Sequence, residues 1–233
     1  MIEMDSTVSL ENVIVPPPGP GEKLDLHTLF GDDRPVEMEI GCGKGGFLLR
    51  RARALPDRRF FGVEWANSFY RYAADRMVRW QVPNVRLMRA DARHMVIHHL
   101  PPGCLTILHI YHPDPWPKKR HHKRRLIQPP FVAAAVDALV PGGRIAIQTD
   151  HADYFEQIHG ALGAEPRLAE VPFDIPEAGV VAGRVETNYE IKYLRAGRAI
   201  YRMAAVKAAS APQNPAGSPA TPAADRRPPG PRA

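Results

Sequence analysis

Apolar runs of strand length alternate with helical patterns between residues 25 and 207, and this alternation restricts the possible fold more than any other feature of the chain. Parallel strands need a crossover connection, usually a helix, so the pattern predicts an α/β fold with a doubly wound, mostly parallel sheet. The predicted strands span residues 36–40, 59–63, 84–88, 105–111, 144–149 and 199–206. The predicted helices span residues 47–54, 67–80, 131–139 and 154–162. In helix 67–80, apolar residues recur at spacings of three and four, namely Phe69, Tyr72, Ala73, Met77 and Trp80.

Carboxylates occur at or just past the ends of five successive predicted strands. In open α/β sheets, ligands bind outside the carboxyl ends of the strands. One acid there is often a surface loop residue or a helix N-cap, whereas a succession of them predicts an acidic rim at one edge of the sheet. The residues of this rim are Glu39, Glu64, Asp91, Asp114 and Asp150.

A glycine-rich segment follows the first predicted strand. The positions of Gly41, Gly43 and Gly46 fit the dinucleotide pattern G-x-G-x-x-G, and Gly45 allows the equally good reading E-x-G-x-G-x-G of S-adenosylmethionine enzymes. A carboxylate at Glu39 faces a pyrophosphate unfavourably but suits the cationic methionine end of S-adenosylmethionine. The segment therefore favours S-adenosylmethionine as the cofactor, with a nicotinamide-dependent dehydrogenase as an alternative.

The next two acids of the rim suit the rest of this cofactor. Glu64 is placed to accept hydrogen bonds from ribose hydroxyls, because a carboxylate is an acceptor only. Asp91 is placed to accept from an exocyclic amine such as adenine N6. The chain has no cysteine and histidine spacing typical of zinc sites, so no metal is expected.

A stiff turn and a cationic run lie side by side at residues 113–125. Three prolines in five residues hold Asp114 and Trp116 in a non-helical turn. Six of the next eight residues are Lys or Arg and the other two are His. Without these six cations, basic and acidic residues balance at 25 each, so the net charge of +6 comes from this one run. A fixed carboxylate beside a polyanion-binding run indicates chemistry on a nucleic acid.

The two ends of the chain differ in character from its centre. Residues 1–24 hold several prolines and are expected to form an irregular lead-in, while the Pro- and Ala-rich residues 208–233 are expected to be disordered. Two cysteines do not make a disulfide scaffold. No signal peptide and no apolar run of membrane-spanning length is recognised, so a cytoplasmic enzyme without a membrane partner is expected.

These motifs together resemble the bacterial single-chain tRNA (guanine-N7-)-methyltransferase family. The block Pro-Asp-Pro-Trp-Pro-Lys-x-Arg-His-x-Lys-Arg-Arg runs unbroken from Pro113 to Arg125, and the other motifs follow in the family's order over residues 25–207. The resemblance implies a Rossmann-like, S-adenosylmethionine-dependent methyltransferase fold with a seven-stranded sheet. It also implies methyl transfer to N7 of guanosine 46 in the variable loop of tRNA.

The resemblance also assigns residues to roles, with Asp114 as the catalytic residue. The cofactor-binding positions are Glu39, Gly41, Gly43, Glu64, Asp91 and Asp114. The substrate-binding positions are Lys118, Asp150, Thr187, Asn188, Tyr189 and Glu190. The RNA-binding positions are Arg120, His121, His122, Lys123, Arg124 and Arg125. The partner is tRNA, and both a monomer and a homodimer remain open.

Some positions depart from the family pattern or allow two interpretations. Asn188 stands where many relatives carry Lys. His112 either tunes the site or caps the strand end, and capping is favoured. Trp116 and Tyr189 could stack on an unpaired base or serve as packing anchors. Two other functions remain as alternatives: a methyltransferase acting on a small molecule or another RNA, and a non-catalytic RNA-binding protein.

Overall fold

Eight strands form one sheet at the centre of the structure, a computed structural model that describes residues 7–173 and 197–209. The strands are β1 (Ile14–Val15), β2 (Val36–Ile40), β3 (Arg59–Glu64), β4 (Val85–Arg89), β5 (Leu105–Tyr111), β6 (Leu139–Thr149), β7 (Leu168–Val171) and β8 (Tyr201–Lys207). Their order in the sheet is β1-β4-β3-β2-β5-β6-β8-β7. Strands β1 to β6 pair in parallel, and β8 runs antiparallel to both β6 and β7. The prediction of a doubly wound, mostly parallel sheet is confirmed.

Helices connect the parallel strands. They are α1 (Leu10–Val13), α2 (Leu26–Phe30), α3 (Gly46–Ala54), α4 (Asn67–Arg79), α5 (Ala92–His94), α6 (Pro129–Ala138) and α7 (Ala152–Gly163). A π-helical turn at Met95–His99 extends α5, and a 3₁₀ helix covers Lys119–Arg124. One apolar cluster packs α6 and α7 on one face of the sheet, and a second packs α3 and α4 on the other. None of the helices in the described ranges is long and apolar enough to cross a membrane.

The N-terminal segment differs from its prediction. Residues 10–15 are not irregular, because they form α1 and β1, and β1 pairs with β4 as an additional edge strand. Val13 and Val15 are buried, so apolar contact holds the segment on the sheet. The sheet consequently has eight strands where seven are expected. The predicted disordered tail lies outside the described residues from residue 210 onward.

Helix α4 buries a different face from the one its apolar spacing suggests. Tyr70, Ala73, Ala74 and Met77 form the buried face. Three of the aromatic residues in the predicted pattern are instead exposed, at 37% for Phe69, 40% for Tyr72 and 55% for Trp80.

A buried ion cluster fixes the carboxyl end of β5. Glu37 accepts hydrogen bonds from Arg51, from Arg58 at 2.8 Å and from His109 Nε2 at 2.9 Å. Burial opposes ionisation of Glu37, but these donors outweigh it and lower its pKa to about 2. Burial also lowers the pKa of His109, so the neutral ring donates through Nε2 and accepts the Tyr111 hydroxyl at Nδ1 across 2.7 Å. This chain of bonds holds Tyr111 at the point where the Pro-rich turn begins.

Candidate active site

A cavity of about 870 Å³ opens at the carboxyl ends of the parallel strands. This is the edge at which open α/β sheets bind ligands. Its lining includes seven of the predicted site residues. One is Arg124 of the cationic run, and the other six come from five different strand ends: Gly41, Gly43, Glu64, Asp91, Asp114 and Asp150. Four of the five acids of the predicted rim thus line one cavity, whereas the fifth, Glu39, is buried and does not line it.

The glycine loop needs its glycines for conformation and for space. Gly41, Gly43 and Gly45 have φ values of 71°, 53° and 68°, in the left-handed region that disfavours side chains. A Cβ on Gly45 would lie 2.8 Å from Met77 Cε, so the loop could not pack as closely on α4. Two of these residues, Gly41 and Gly43, line the cavity with backbone alone.

Glu64 organises this loop as well as facing the cavity. Its two carboxylate oxygens accept the backbone N–H groups of Gly43 at 2.9 Å and Ala66 at 2.8 Å. A carboxylate has about four acceptor positions, so each oxygen retains capacity for a ribose hydroxyl. Besides its expected contact with the cofactor, Glu64 thus stabilises the conformation of the glycine loop.

Glu39 lies beneath the glycine loop and is only 4% exposed. Among the described residues its Oε2 atom has no hydrogen-bond partner. Burial raises the pKa of Glu39 to about 8, and the nearby Glu64 carboxylate adds to this shift. Ionising a buried carboxyl group that has no hydrogen-bond donor is costly, and a cationic ligand bound over the loop lowers that cost. The residues present therefore fit the cationic methionine end of S-adenosylmethionine.

Asp91 is a helix N-cap and also lines the cavity. It is the N-cap of α5, where Oδ1 accepts the backbone N–H of His94 at 3.0 Å. It also lines the cavity next to Ala90 and Ala92. The position is thus fixed by the helix start while the residue still faces the ligand space.

The Pro-rich turn places Asp114 and Trp116 in the cavity lining just after β5, the strand that pairs with β2. His112 and Trp116 have positive φ values of 51° and 44°, which are strained for residues with side chains. Asp114 is exposed to the cavity. The guanidinium of Arg124 lies 4.9 Å from the centre of the Trp116 ring, and His121 meets that ring edge-on at 6.0 Å. Trp116 is therefore a packed and oriented ring at the cavity wall.

Asp150 joins the same wall through contacts with two elements. Its Oδ2 accepts from Arg198 Nη1 at 3.0 Å, and its Oδ1 lies 3.7 Å from His112 Nδ1. His112 is also among the residues that line the cavity beside Asp114, with a side chain that is only 4% exposed. Arg198 is 48 residues from Asp150 in the chain, so no sequence signal indicates the pair.

The residues of the cationic run differ in exposure and do not form one surface. Lys118, Lys119, Arg120, Lys123 and Arg124 are exposed along or before the 3₁₀ helix. Arg124 lines the cavity, whereas Lys118 does not. His121 and His122 are half-buried.

The prediction that Arg125 binds RNA is wrong, because this side chain is only 1% exposed. Its Nε donates to the Pro115 carbonyl at 2.8 Å and its Nη1 to Gln157 Oε1 at 2.9 Å, while Nη2 bonds Asp153. Arg125 thus ties the Pro-rich turn to α7.

We expect Arg125→Met to lower the stability of the protein and Arg124→Met to weaken RNA binding. Arg125→Met leaves the Pro115 carbonyl and Gln157 without their donor, which should cost about 2 kcal/mol of unfolding free energy and loosen the turn. Arg124→Met should leave stability within about 0.5 kcal/mol but weaken RNA binding. Urea unfolding and RNA titration of both variants provide the measurement. Equal stability of the two variants would contradict the structural role of Arg125.

Some residues that line the cavity were not predicted from the sequence, and some predicted residues lie outside the described ranges. Trp65 and Phe69 line the cavity, and only the position of Trp65 directly after Glu64 could have indicated it. The predicted substrate-binding positions Thr187, Asn188, Tyr189 and Glu190 lie outside the described residues. In the part of the chain that the structure describes, no group of three metal-ligating side chains is present.

Comparison with known proteins identifies the family. The family model described as "Putative methyltransferase" matches residues 33–203. The tRNA (guanine-N(7)-)-methyltransferase of Alkalilimnicola ehrlichii is 39% identical over 186 residues, which cover 79% of this chain and 77% of that protein. The chain belongs to the tRNA (guanine-N7-)-methyltransferase family. The enzyme of the same name from Mycobacterium avium is 40% identical over 184 residues, covering 79% of this chain and 71% of that protein.

Solved structures agree with the fold of this tRNA (guanine-N7-)-methyltransferase family member. A SAM-dependent O-methyltransferase from Thermotoga maritima superposes with a TM-score of 0.51 at 18% identity, covering 76% of this chain and 60% of that chain. At this identity the likeness concerns the fold alone. The Rossmann-like methyltransferase fold expected from the sequence is confirmed, and so is the family.

Proposed function

We propose that this protein transfers a methyl group from S-adenosylmethionine to N7 of a guanosine in tRNA, at position 46 of the variable loop. The observation that carries the proposal is one cavity lined by two groups of residues. The glycine loop, Glu64 and Asp91 follow β2, β3 and β4, and the rigid turn with Asp114 follows β5. Family membership supports this reading, because the relatives above are named for this reaction.

The cofactor side suits S-adenosylmethionine along its length. Gly41 and Gly43 give it a close backbone surface, Glu39 lies below with an oxygen in need of a donor, and Glu64 and Asp91 offer acceptors. When bound, S-adenosylmethionine supplies an electrophilic methyl group on a sulfonium. Four acidic side chains in the cavity wall favour a cationic ligand over a pyrophosphate.

The reaction needs no general base at the nucleophile. Guanine N7 carries a lone pair and no proton, so the protein contributes mainly by positioning, which is worth roughly 7–11 kcal/mol in favourable cases. Asp114 can accept from guanine N1–H and the 2-amino group and so orient N7. Its charge also stabilises the positive charge that develops on the base.

The target base must be accessible for this geometry. N7 lies on the major-groove edge, which side chains do not reach in an A-form helix, so the guanosine lies in a loop or leaves its stack. Trp116 stands at the cavity wall with Arg124 against its ring, where its remaining surface can contact an extruded base. Such contacts contribute about 1–3 kcal/mol.

RNA affinity should depend strongly on salt because of the exposed part of the cationic run. Replacing Lys119, Arg120 and Lys123 with alanine should reduce the slope of log K against log [salt] by about 2–3, since each phosphate contact releases about one counterion. Binding of S-adenosylmethionine should not change. Filter binding of tRNA at several salt concentrations measures the slope. An unchanged slope would remove this run from the RNA contact.

Methyl transfer to two matched transcripts tests the proposed reaction. One unmodified tRNA transcript carries guanosine at position 46, and its twin carries adenosine there. We expect label from S-adenosylmethionine on the first transcript only, recovered as 7-methylguanosine. Label on neither transcript, with cofactor binding intact, would refute the proposed substrate.

A further inference from the structure

An exposed row of aromatic rings runs along the outer face of α4. Phe69, Tyr72, Arg76 and Arg79 follow one another at spacings of three and four, so they share one side of the helix, and Trp80 caps its end. The exposed fractions of the three rings are 37% for Phe69, 40% for Tyr72 and 55% for Trp80. Large aromatic side chains are usually well buried, so a row of them on the solvent side of a helix indicates a contact surface.

Cations lie against each of these rings. The Lys44 ammonium is 6.0 Å from the Phe69 ring centre and 5.3 Å from that of Tyr72, and the Arg76 guanidinium is 5.1 Å from Tyr72. The Arg53 guanidinium is 5.2 Å from Trp80. The three cations that make these four contacts belong to the glycine loop, α3 and α4, so the surface is built by tertiary packing. We call it the α4 surface: Lys44, Arg53, Phe69, Tyr72, Arg76 and Trp80.

The charge of the α4 surface favours an anionic partner. On this side of α4, Arg79 is paired with Asp75 at 2.9 Å. Within residues 7–173 and 197–209, no ion pair links Lys44, Arg53 or Arg76 to a carboxylate. Three uncompensated cations beside aromatic rings are the combination that proteins use for nucleic-acid backbones and unpaired bases.

The α4 surface is continuous with the cavity. Phe69 belongs to both, and Trp65 extends the row at the rim, 66% exposed with Arg89 5.7 Å from its ring. From Phe69 to Trp80 the helix rises about 17 Å. A nucleic acid whose target base enters the cavity therefore has a basic and aromatic track beside it, separate from the cationic run at Lys118–Arg124.

We propose that the α4 surface binds the sugar–phosphate backbone of the RNA substrate while the target base occupies the cavity. This inference rests on the proposed function, since it takes tRNA as the substrate. The rings of Tyr72 and Trp80 pack against ribose or an unpaired base, and Arg53 and Arg76 bind phosphates. The enzyme then holds its substrate from two sides of the cavity.

Two charge reversals on the same helix test the proposal. Arg76→Glu alters the α4 surface, whereas Arg71→Glu makes the same change at an exposed position of α4 that has no contact with its rings. We expect Arg76→Glu to weaken tRNA binding by about tenfold and to reduce the salt slope by about 1, with Arg71→Glu close to wild type. For methyl transfer, KM for tRNA should rise in Arg76→Glu while kcat at saturating tRNA and cofactor affinity stay unchanged.

Further variants test the aromatic rings and keep the proposal testable if Arg76→Glu does not fold. Tyr72→Ser with Trp80→Ser removes exposed rings without a charge change, and should weaken tRNA binding by about tenfold; Arg76→Gln is a milder alternative to the reversal. Equal tRNA affinity in Arg76→Glu, Arg71→Glu and wild type would overturn the proposal. A wild-type dimer in sedimentation would also overturn it if the Tyr72 and Trp80 changes convert that dimer to a monomer. In that case a second copy of the chain occupies the α4 surface. Failure of wild type to methylate the guanosine-46 transcript would instead refute the proposed function.

Discussion

Replacing Asp114 with asparagine should lower kcat for tRNA methylation by about 10²–10³-fold. The side chain keeps its shape but loses the charge that stabilises the developing cationic guanine, and its amide cannot accept from N1–H and the 2-amino group at both atoms. The turn around Asp114 should survive, because Arg125 and the three prolines hold it independently of this side chain. Single-turnover methylation of saturating tRNA gives the measurement.

Cofactor affinity distinguishes this role from a purely binding one. S-adenosylmethionine binding by Asp114→Asn should stay within about threefold of wild type, and Asp57→Asn, an exposed loop change, should behave as wild type in both assays. If kcat and cofactor affinity fall together, Asp114 serves to bind the cofactor and does not act on the guanine.

Replacing Glu39 with glutamine should abolish a pH dependence of cofactor binding. A pKa of about 8 means that free wild-type protein holds a proton on Glu39 at neutral pH, and a cationic ligand favours its release. Wild-type affinity should therefore rise up to about tenfold per pH unit below pH 8 and level off above it. In Glu39→Gln the affinity should be low and flat with pH. Calorimetry in buffers of different ionisation enthalpy should find proton release in wild type only.

The same substitution should alter the pH dependence of stability in the free protein. Between the ordinary glutamate pKa of 4.5 and about 8, the native state holds a proton that the unfolded chain releases. The stability it contributes is fully present below pH 4.5 and is lost as pH rises through about 8. Glu39→Gln avoids this loss, so at pH 9 it should be more stable than wild type by a few kcal/mol.

Urea unfolding at pH 5 and pH 9 provides this measurement. Glu156→Gln, a change at an exposed position, is the matched control and should follow wild type at both pH values. Identical pH slopes for wild type and Glu39→Gln would show that Glu39 is ionised in the free protein.

Local patterns in the sequence were sufficient for the parallel centre of the sheet and for the position of the glycine loop, but not for the edge strands β1 and β7. Strand β5 has the predicted limits, residues 105–111, because an apolar run of that length between turn residues favours a buried strand over other structures. The acids after successive strands meet in one cavity because parallel strands direct their carboxyl ends to the same edge. The glycine loop follows from its spacing, which only a tight turn before a helix satisfies.

The sequence by itself determined the fold class, the family and the cavity position of four acids, whereas the tertiary structure decided what individual side chains do. Arg125 looks like its neighbours in a run of cations, yet its side chain is buried and donates to Asp153 and Gln157 of α7. Tyr72 fits an apolar helix pattern, yet the sheet packs on the other side of α4. Periodicity and motifs depend on residues near each other in the chain. Burial depends on partners that are distant in sequence and meet only when the chain has folded.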